Sequence, residues 1–84
     1  MEDCIAIVGI RAHRREQDAP QVQAVLTAHG DKIVARNGVP SPDRTTGVIS
    51  LTCSGAEDRV VELVSALRAV PGVNAQYVML ECPV

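Results

Sequence analysis

Four short stretches of the chain have the alternating or continuous apolar pattern of a β-strand. The first, residues 4–10, is apolar at both alternating sets of positions and rich in isoleucine and valine, which is typical of a central strand buried on both faces. The other three stretches lie at 33–36, 48–53 and 73–81. Residues 37–43 hold one glycine and two prolines, so they predict a loop between the second and third strands.

Two stretches between these strands carry apolar residues at helical spacing. The first predicts a helix over about 19–29, with Asp18 as its N-cap and Pro20 in its first turn. The second begins after Ser54, which has the spacing of a capping box with Glu57. The apolar stripe of this second helix consists of Val60, Leu63, Val64 and Leu67.

The order β-α-β-β-α-β predicts an α+β, ferredoxin-like sandwich, with an antiparallel sheet of strand order 4-1-3-2 and both helices on one face. A chain of 84 residues has room for one such domain, 1–84. No helix is left for the second sheet face, and an uncovered apolar face indicates a partner. We therefore expect a homo-oligomer, a dimer or a tetramer. The expected contact residues are Cys4, Ala6, Val8, Val48, Val78 or Leu80, or their alternates if the strands face the other way.

Composition excludes several classes of partner. The chain has one tyrosine and no tryptophan or phenylalanine, and its net charge is −2, so direct nucleic-acid binding is not expected. Its longest apolar run, residues 4–10, is far shorter than the roughly 20 residues of a membrane span. The N-terminus is acidic where a signal peptide is basic. We expect a cytoplasmic protein that does not bind membranes.

The three cysteines, Cys4, Cys53 and Cys82, are an odd number without a close pair, which favours reduced thiols over a disulfide framework. In the predicted topology all three lie near one end, so a three-thiolate metal site is an alternative to three small buried thiols. No histidine pair has metal-ligand spacing, and no nucleophile and base are visible together. We therefore expect neither a cofactor nor enzymatic activity.

The predicted topology gathers positive charge at one end of the sheet. Six of the eight basic residues fall there, in the loop after the first strand, the hairpin after the second and the loop after the second helix. With the N-terminus of the first helix, this end favours a small anion, although solvated loop charges are the simpler interpretation.

An effector pocket at this basic end would lie between the first loop and the hairpin. Gly38 is expected to need a positive φ to turn the chain before Pro40. The candidate effector-binding residues are Gly9, Arg11, Asp18, Arg36, Gly38 and Arg44.

Several of these stretches resemble one family. The strand at 5–10, the segment 30–40 (Gly-Asp-x-Ile-Val-x-Arg-x-Gly-Val-Pro) and the Val-Pro-Gly-Val at 70–73 are similar to the small regulators proposed for the iron-only hydrogenase system. The resemblance implies a fold like that of ACT regulatory domains and of the ligand-binding domain of the nickel-responsive repressor. It does not carry over nickel binding, because the chain has no His-X-His. Gln21 follows Pro20 where ACT domains have a glycine, so the resemblance implies a modified effector site.

Three functional hypotheses follow. The leading one is a non-enzymatic, oligomeric, ACT-like regulator that binds a small anionic effector or a protein partner. The second is a thiol metal-binding protein that uses Cys4, Cys53 and Cys82. The third is an oligomerisation module without a ligand.

Overall fold

The computed structural model describes residues 4–40 and 46–82, omitting the side chains of residues 15, 16 and 40. A single 3₁₀ turn, Gly30–Lys32, links the first helix to the second strand. The elements are β1 (Cys4–Ala12), α1 (Arg15–Ala28), β2 (Ile33–Pro40), β3 (Gly47–Gly55), α2 (Glu57–Arg68) and β4 (Val73–Glu81). This is the predicted β-α-β-β-α-β order.

The four strands form one antiparallel sheet in the order β2-β3-β1-β4. This is the predicted order 4-1-3-2 counted from the other edge, so the ferredoxin-like fold is confirmed. Apolar residues of both helices pack with alternate residues of β1, β3 and β4 into one core. Both helices therefore cover the same face of the sheet.

The strand β1 is buried on only one face. Ala6, Val8 and Ile10 point into the core, whereas Ile5 is 39% exposed and Gly9 is exposed. The prediction that both faces are buried is therefore wrong, because Ile5, Ile7 and Gly9 lie on the side of the sheet without helices. We call this uncovered side of the sheet the open face.

The helix α1 begins four residues earlier than predicted. The backbone N–H groups of Gln17 and Asp18 both donate to the carbonyl of Arg14, at 3.0 and 2.8 Å, which makes Arg14 the N-cap. Asp18 is thus not the N-cap but a fully buried residue inside the helix, and Pro20 is not in the first turn. The local cap signal is wrong because the Asp18 carboxylate instead accepts hydrogen bonds from the backbone and side chain of Arg14, one turn earlier.

The hairpin strands β2 and β3 are longer than predicted, so residues 37–40 are strand and not loop. Ser54 lies within β3, and the N-cap of α2 is Ala56, which makes no side-chain cap hydrogen bond. The capping box is therefore wrong, because pairing with β1 continues the strand through Gly55. The predicted apolar stripe of α2 is confirmed as buried core.

The antiparallel pairing of β1 with β4 brings the two ends of the chain together. Cys4 and Cys82 are joined by a disulfide, with their Cα atoms 4.1 Å apart, so the expectation of reduced thiols is wrong for this pair. Cys53 is free and buried. In the described part of the chain, no helix is long and apolar enough to cross a membrane.

Candidate functional site

A groove opens between the first half of α1 and the β2–β3 hairpin. Its volume is about 250 Å³. Six aliphatic residues, two glycines and two polar residues line it. They are Ala12, Ala19, Val22, Val39, Val48, Ile49, Gly38, Gly47, Gln23 and Arg36. The sequence predicted an effector pocket between the first loop and the hairpin; the groove shares the hairpin side, and its other side is formed mainly by α1.

Arg36 is the cation of this groove. It lies on β2 opposite Leu51, on the side of the sheet that carries the helices. Its guanidinium Nη2 donates to Oε1 of Gln23 on α1 at 2.9 Å. This bond fixes one edge of the guanidinium and leaves other N–H donors for an anion.

Gly38 also lines the groove, but not for the predicted reason. It pairs with Ile49 in the sheet, and a Cβ at Gly38 would lie 4.0 Å from Cγ1 of Ile49. The expected positive φ at Gly38 is wrong: among the described residues, the positive-φ glycine is Gly72, at 80°. Gly38 therefore widens the groove through its missing side chain and not through a turn.

Asp18 is buried and is held by contacts at the start of α1. Its carboxylate accepts hydrogen bonds from the backbone N–H of Arg14 at 3.2 Å and from Nη2 of Arg14 at 3.1 Å. The N–H of His13 donates to the carbonyl of Gly72 at 2.9 Å, which ties the same loop to the α2–β4 turn. Asp18 thus positions the start of α1 and does not line the groove.

The remaining candidates lie elsewhere. Gly9 and Arg11 are exposed on the open face, on the opposite side of the sheet from the groove-lining Ala12. Arg44 lies outside the described residues. The structure thus places Arg36 and Gly38 together on the groove, and separates both from Gly9 and Arg11.

Sequence reasoning missed Gln23, which orients Arg36. A glutamine beside the helical stripe gives no local signal, because only the packing of α1 against the hairpin brings it near β2. Arg68, counted at the basic end, is also engaged: its Nε donates to the carbonyl of Ala75 at 2.9 Å. Positive charge in the sequence therefore overstates the positive charge available to a ligand.

The thiols do not form a metal site within residues 4–40 and 46–82. No group of three histidine, cysteine or acidic side chains in this part of the chain could hold a metal ion. Cys4 and Cys82 are bonded to each other, and burial raises the pKa of the Cys53 thiol above its ordinary value. The three-thiolate alternative is therefore wrong for this disulfide-bonded form.

The TM1266-like family, whose description is "Iron-only hydrogenase system regulator, putative", matches residues 4–77. The chain belongs to this family. The sequence resemblance is thus confirmed, and the TM1266-like match spans every described element except the end of β4.

Solved structures share the fold of this TM1266-like chain. The uncharacterized protein TM1266 from Thermotoga maritima superposes with a TM-score of 0.88 at 26% identity, covering 95% of this chain and 100% of that chain. The ACT domain from GTP pyrophosphokinase of Chlorobium tepidum gives 0.74 at 20% identity, covering 93% and 89%. The regulatory subunit of aspartate kinase from Thermus flavus gives 0.61 at 18% identity, covering 92% and 55%. The search of curated proteins found no significant match.

Proposed function

We propose that this protein is a non-enzymatic, cytoplasmic regulator of the iron-only hydrogenase system that binds a small anionic effector in the groove between α1 and the β2–β3 hairpin. The observation that carries the proposal is the Arg36–Gln23 hydrogen bond on the wall of an otherwise aliphatic groove. The family match supports the regulatory role, and the ACT-domain neighbours support an effector-binding use of the fold. We further propose that 1–84 acts as one domain and works as a homo-oligomer.

The chemistry of the wall defines the class of effector. A guanidinium presents paired donors that match a carboxylate or phosphate, and such charge-assisted pairs are stronger than neutral hydrogen bonds. The aliphatic residues around it suit a short alkyl body. A volume of about 250 Å³ is small beside the roughly 300–1,000 Å³ of typical ligand pockets. The effector class is therefore a compact monoanion with a small branched alkyl group.

Binding can be tested with short branched-chain monocarboxylates and with inorganic phosphate as probes. In ¹⁵N–¹H NMR titrations, we expect the alkyl carboxylates to shift the amides of Gly38, Gly47 and Ile49. Arg36→Ala should weaken that binding at least about tenfold, since a charge-assisted pair is worth roughly 1.5–3 kcal/mol. Added salt should weaken binding to the parent protein, because the contact is ionic.

Arg59 provides the matched control, since it is an exposed arginine on α2 away from the groove. Arg59→Ala should bind like the parent protein. Equal binding by Arg36→Ala and the parent, or shifts confined to amides outside the groove, would reject the effector site. The ligand-free oligomerisation module would then be the better description of this protein.

A further inference from the structure

The open face of the sheet carries several exposed apolar side chains that no described element covers. Five exposed aliphatic side chains lie on it, among serine, threonine and amide side chains. They are Ile5, Val39, Val48, Val78 and Leu80. Of the contact residues expected from the sequence, Val48, Val78 and Leu80 lie on the open face, whereas Cys4, Ala6 and Val8 are buried against the helices and their alternates on β1 face outward.

A depression lies near the middle of this face. Gly9 on β1 is flanked by Ser50 on β3 and Gln76 on β4, and a Cβ at Gly9 would meet no heavy atom within 4 Å. The next residue of β1 on the same face, Ile7, is bulky and half-buried. The strand β1 thus presents a depression at Gly9 and a protruding side chain at Ile7, two residues apart on the same face.

We infer that the open face binds a second copy of this chain, with Ile7 of each protomer seated on Gly9 of the other. The inference rests on the proposed homo-oligomer and specifies its geometry. The two-fold axis would run across the strands and cross β1 midway between Ile7 and Gly9. Each strand then lies antiparallel over its own copy, and Ser50 faces Thr52 of the second copy, so hydroxyl meets hydroxyl.

The charges on the face select this axis. Arg11 lies at one end of β1, and Glu81 lies opposite Ile5 at the other end, next to a β-bulge. An axis across the strands brings Arg11 of one protomer over the Ile5–Glu81 end of the other, twice. An axis running along β1 would instead bring the two Arg11 side chains together, and like charges in a partly desolvated contact oppose association.

The size of the face fits a dimer. Four strands about 4.8 Å apart and nine residues long at about 3.3 Å each give a flat area on the order of 600 Å². Side-chain relief makes the accessible area larger, which approaches the roughly 800 Å² per partner of a stable interface. A second copy of the sheet matches this outline strand for strand.

The depression can be filled without disturbing the protomer. Gly9→Leu places its side chain in open space, so the protomer should fold, but in the dimer it collides with Ile7 of the second copy. We expect the dissociation constant, measured by sedimentation equilibrium, to rise at least about tenfold. Gly30→Leu makes the same change in open space off the face and should leave the dimer unchanged.

The register can be tested by charge exchange. Arg11→Glu and Glu81→Arg should each weaken the dimer, because each puts like charges at both contacts. An equimolar mixture of the two variants should form a heterodimer that is tighter than either homodimer, since each contact then pairs opposite charges. Native mass spectrometry of the mixture, with one variant isotopically labelled, counts the heterodimer.

Each outcome decides the matter. A monomeric mass at about 100 µM, a concentration at which even a weak dimer forms, would overturn the inference. So would a dimer whose dissociation constant Gly9→Leu leaves unchanged, or a mixture without excess heterodimer. Capture of a different protein by a monomeric open face would also overturn it. Carboxylate binding at the Arg36 groove, titrated in the same samples, reports on the effector proposal independently of the dimer.

Discussion

Gly72 and Gly38 show how differently two glycines serve this chain. Gly72 has a φ of 80°, and a Cβ on it would lie 2.6 Å from Oδ2 of the buried Asp18. Gly38 is extended, and a Cβ there would meet Ile49 at ordinary van der Waals distance. The α2–β4 turn therefore depends on glycine for both backbone and space, whereas β2 does not.

The first prediction concerns these glycines. Gly72→Ala should lower the free energy of unfolding by about 1–3 kcal/mol, because alanine is strained in the left-handed region and its Cβ displaces the Asp18 carboxylate. Urea denaturation followed by circular dichroism measures the change. Gly38→Ala, the matched control, should change stability by less than about 0.5 kcal/mol. Equal losses in the two variants would show that Gly72 has no special role.

Sequence patterns placed the special glycine at the wrong position, for a physical reason. Asn37-Gly38 followed by Pro40 has the composition of a turn, but pairing with β3 extends this stretch instead. The need for glycine at Gly72 comes from Asp18, which is distant in sequence. Local composition does not record such a tertiary contact, whereas helical periodicity records burial directly, so the α2 stripe was predicted correctly.

At the scale of elements, the 3₁₀ turn between α1 and β2 carries a polar contact with unequal partners. Nζ of Lys32 donates to Oδ1 of Asp31 at 3.2 Å, and the Lys32 side chain is buried while that of Asp31 is exposed. This hydrogen bond holds the pKa of Asp31 below its ordinary value of 3.8. The carboxylate thus supplies a negative charge beside a buried ammonium.

The second prediction follows from that shift. Because the folded-state pKa of Asp31 is depressed, its contribution to stability is complete above the ordinary pKa of 3.8 and is lost as pH falls through the folded-state pKa. Urea midpoints measured between pH 6 and pH 2 should therefore fall less steeply for Asp31→Asn than for the parent. Glu62→Gln, which neutralises an exposed carboxylate on α2, is the control. Identical acid profiles for Asp31→Asn and the parent would contradict the assignment.

Element boundaries were harder to predict than element types. The alternation of β3 and the stripe of α2 follow from burial, which repeats with the period of the element. Helix caps instead depend on single hydrogen bonds, which leave no periodic pattern. Asp18 is buried against the α2–β4 turn, and Ser54 lies within β3, so neither residue caps a helix. The length of a strand depends on the strand beside it: β3 continues to Gly55 because it pairs with β1 as far as Cys4.

For the molecule as a whole, sheet order decides which distant residues meet. The sequence grouped Arg36 and Gly38 in one candidate site, and both line the groove, although Gly38 lies within β2 and not in the predicted loop. Gln23 could not be predicted, since the angle at which α1 packs on the sheet decides its contact. The same sheet order brings Cys4 to Cys82, a pairing that residue spacing and an odd cysteine count had argued against.

The final prediction concerns that disulfide. It joins residues 78 positions apart, and closing a loop of this length raises the free energy of the unfolded chain by about 4.5 kcal/mol in the chain-entropy description. Reductant should therefore lower the urea midpoint of the parent protein, and Cys82→Ser should unfold at the reduced midpoint with or without reductant. Cys53 is the control position: Cys53→Ala loses a buried thiol but keeps its sensitivity to reductant.

In the folded, oxidised parent, alkylation should be slow even at mildly alkaline pH, because burial both shields Cys53 and raises the pKa of its thiol. Rapid alkylation of two or more thiols under those conditions, or a midpoint indifferent to reductant, would show that the chain ends are not covalently joined in solution.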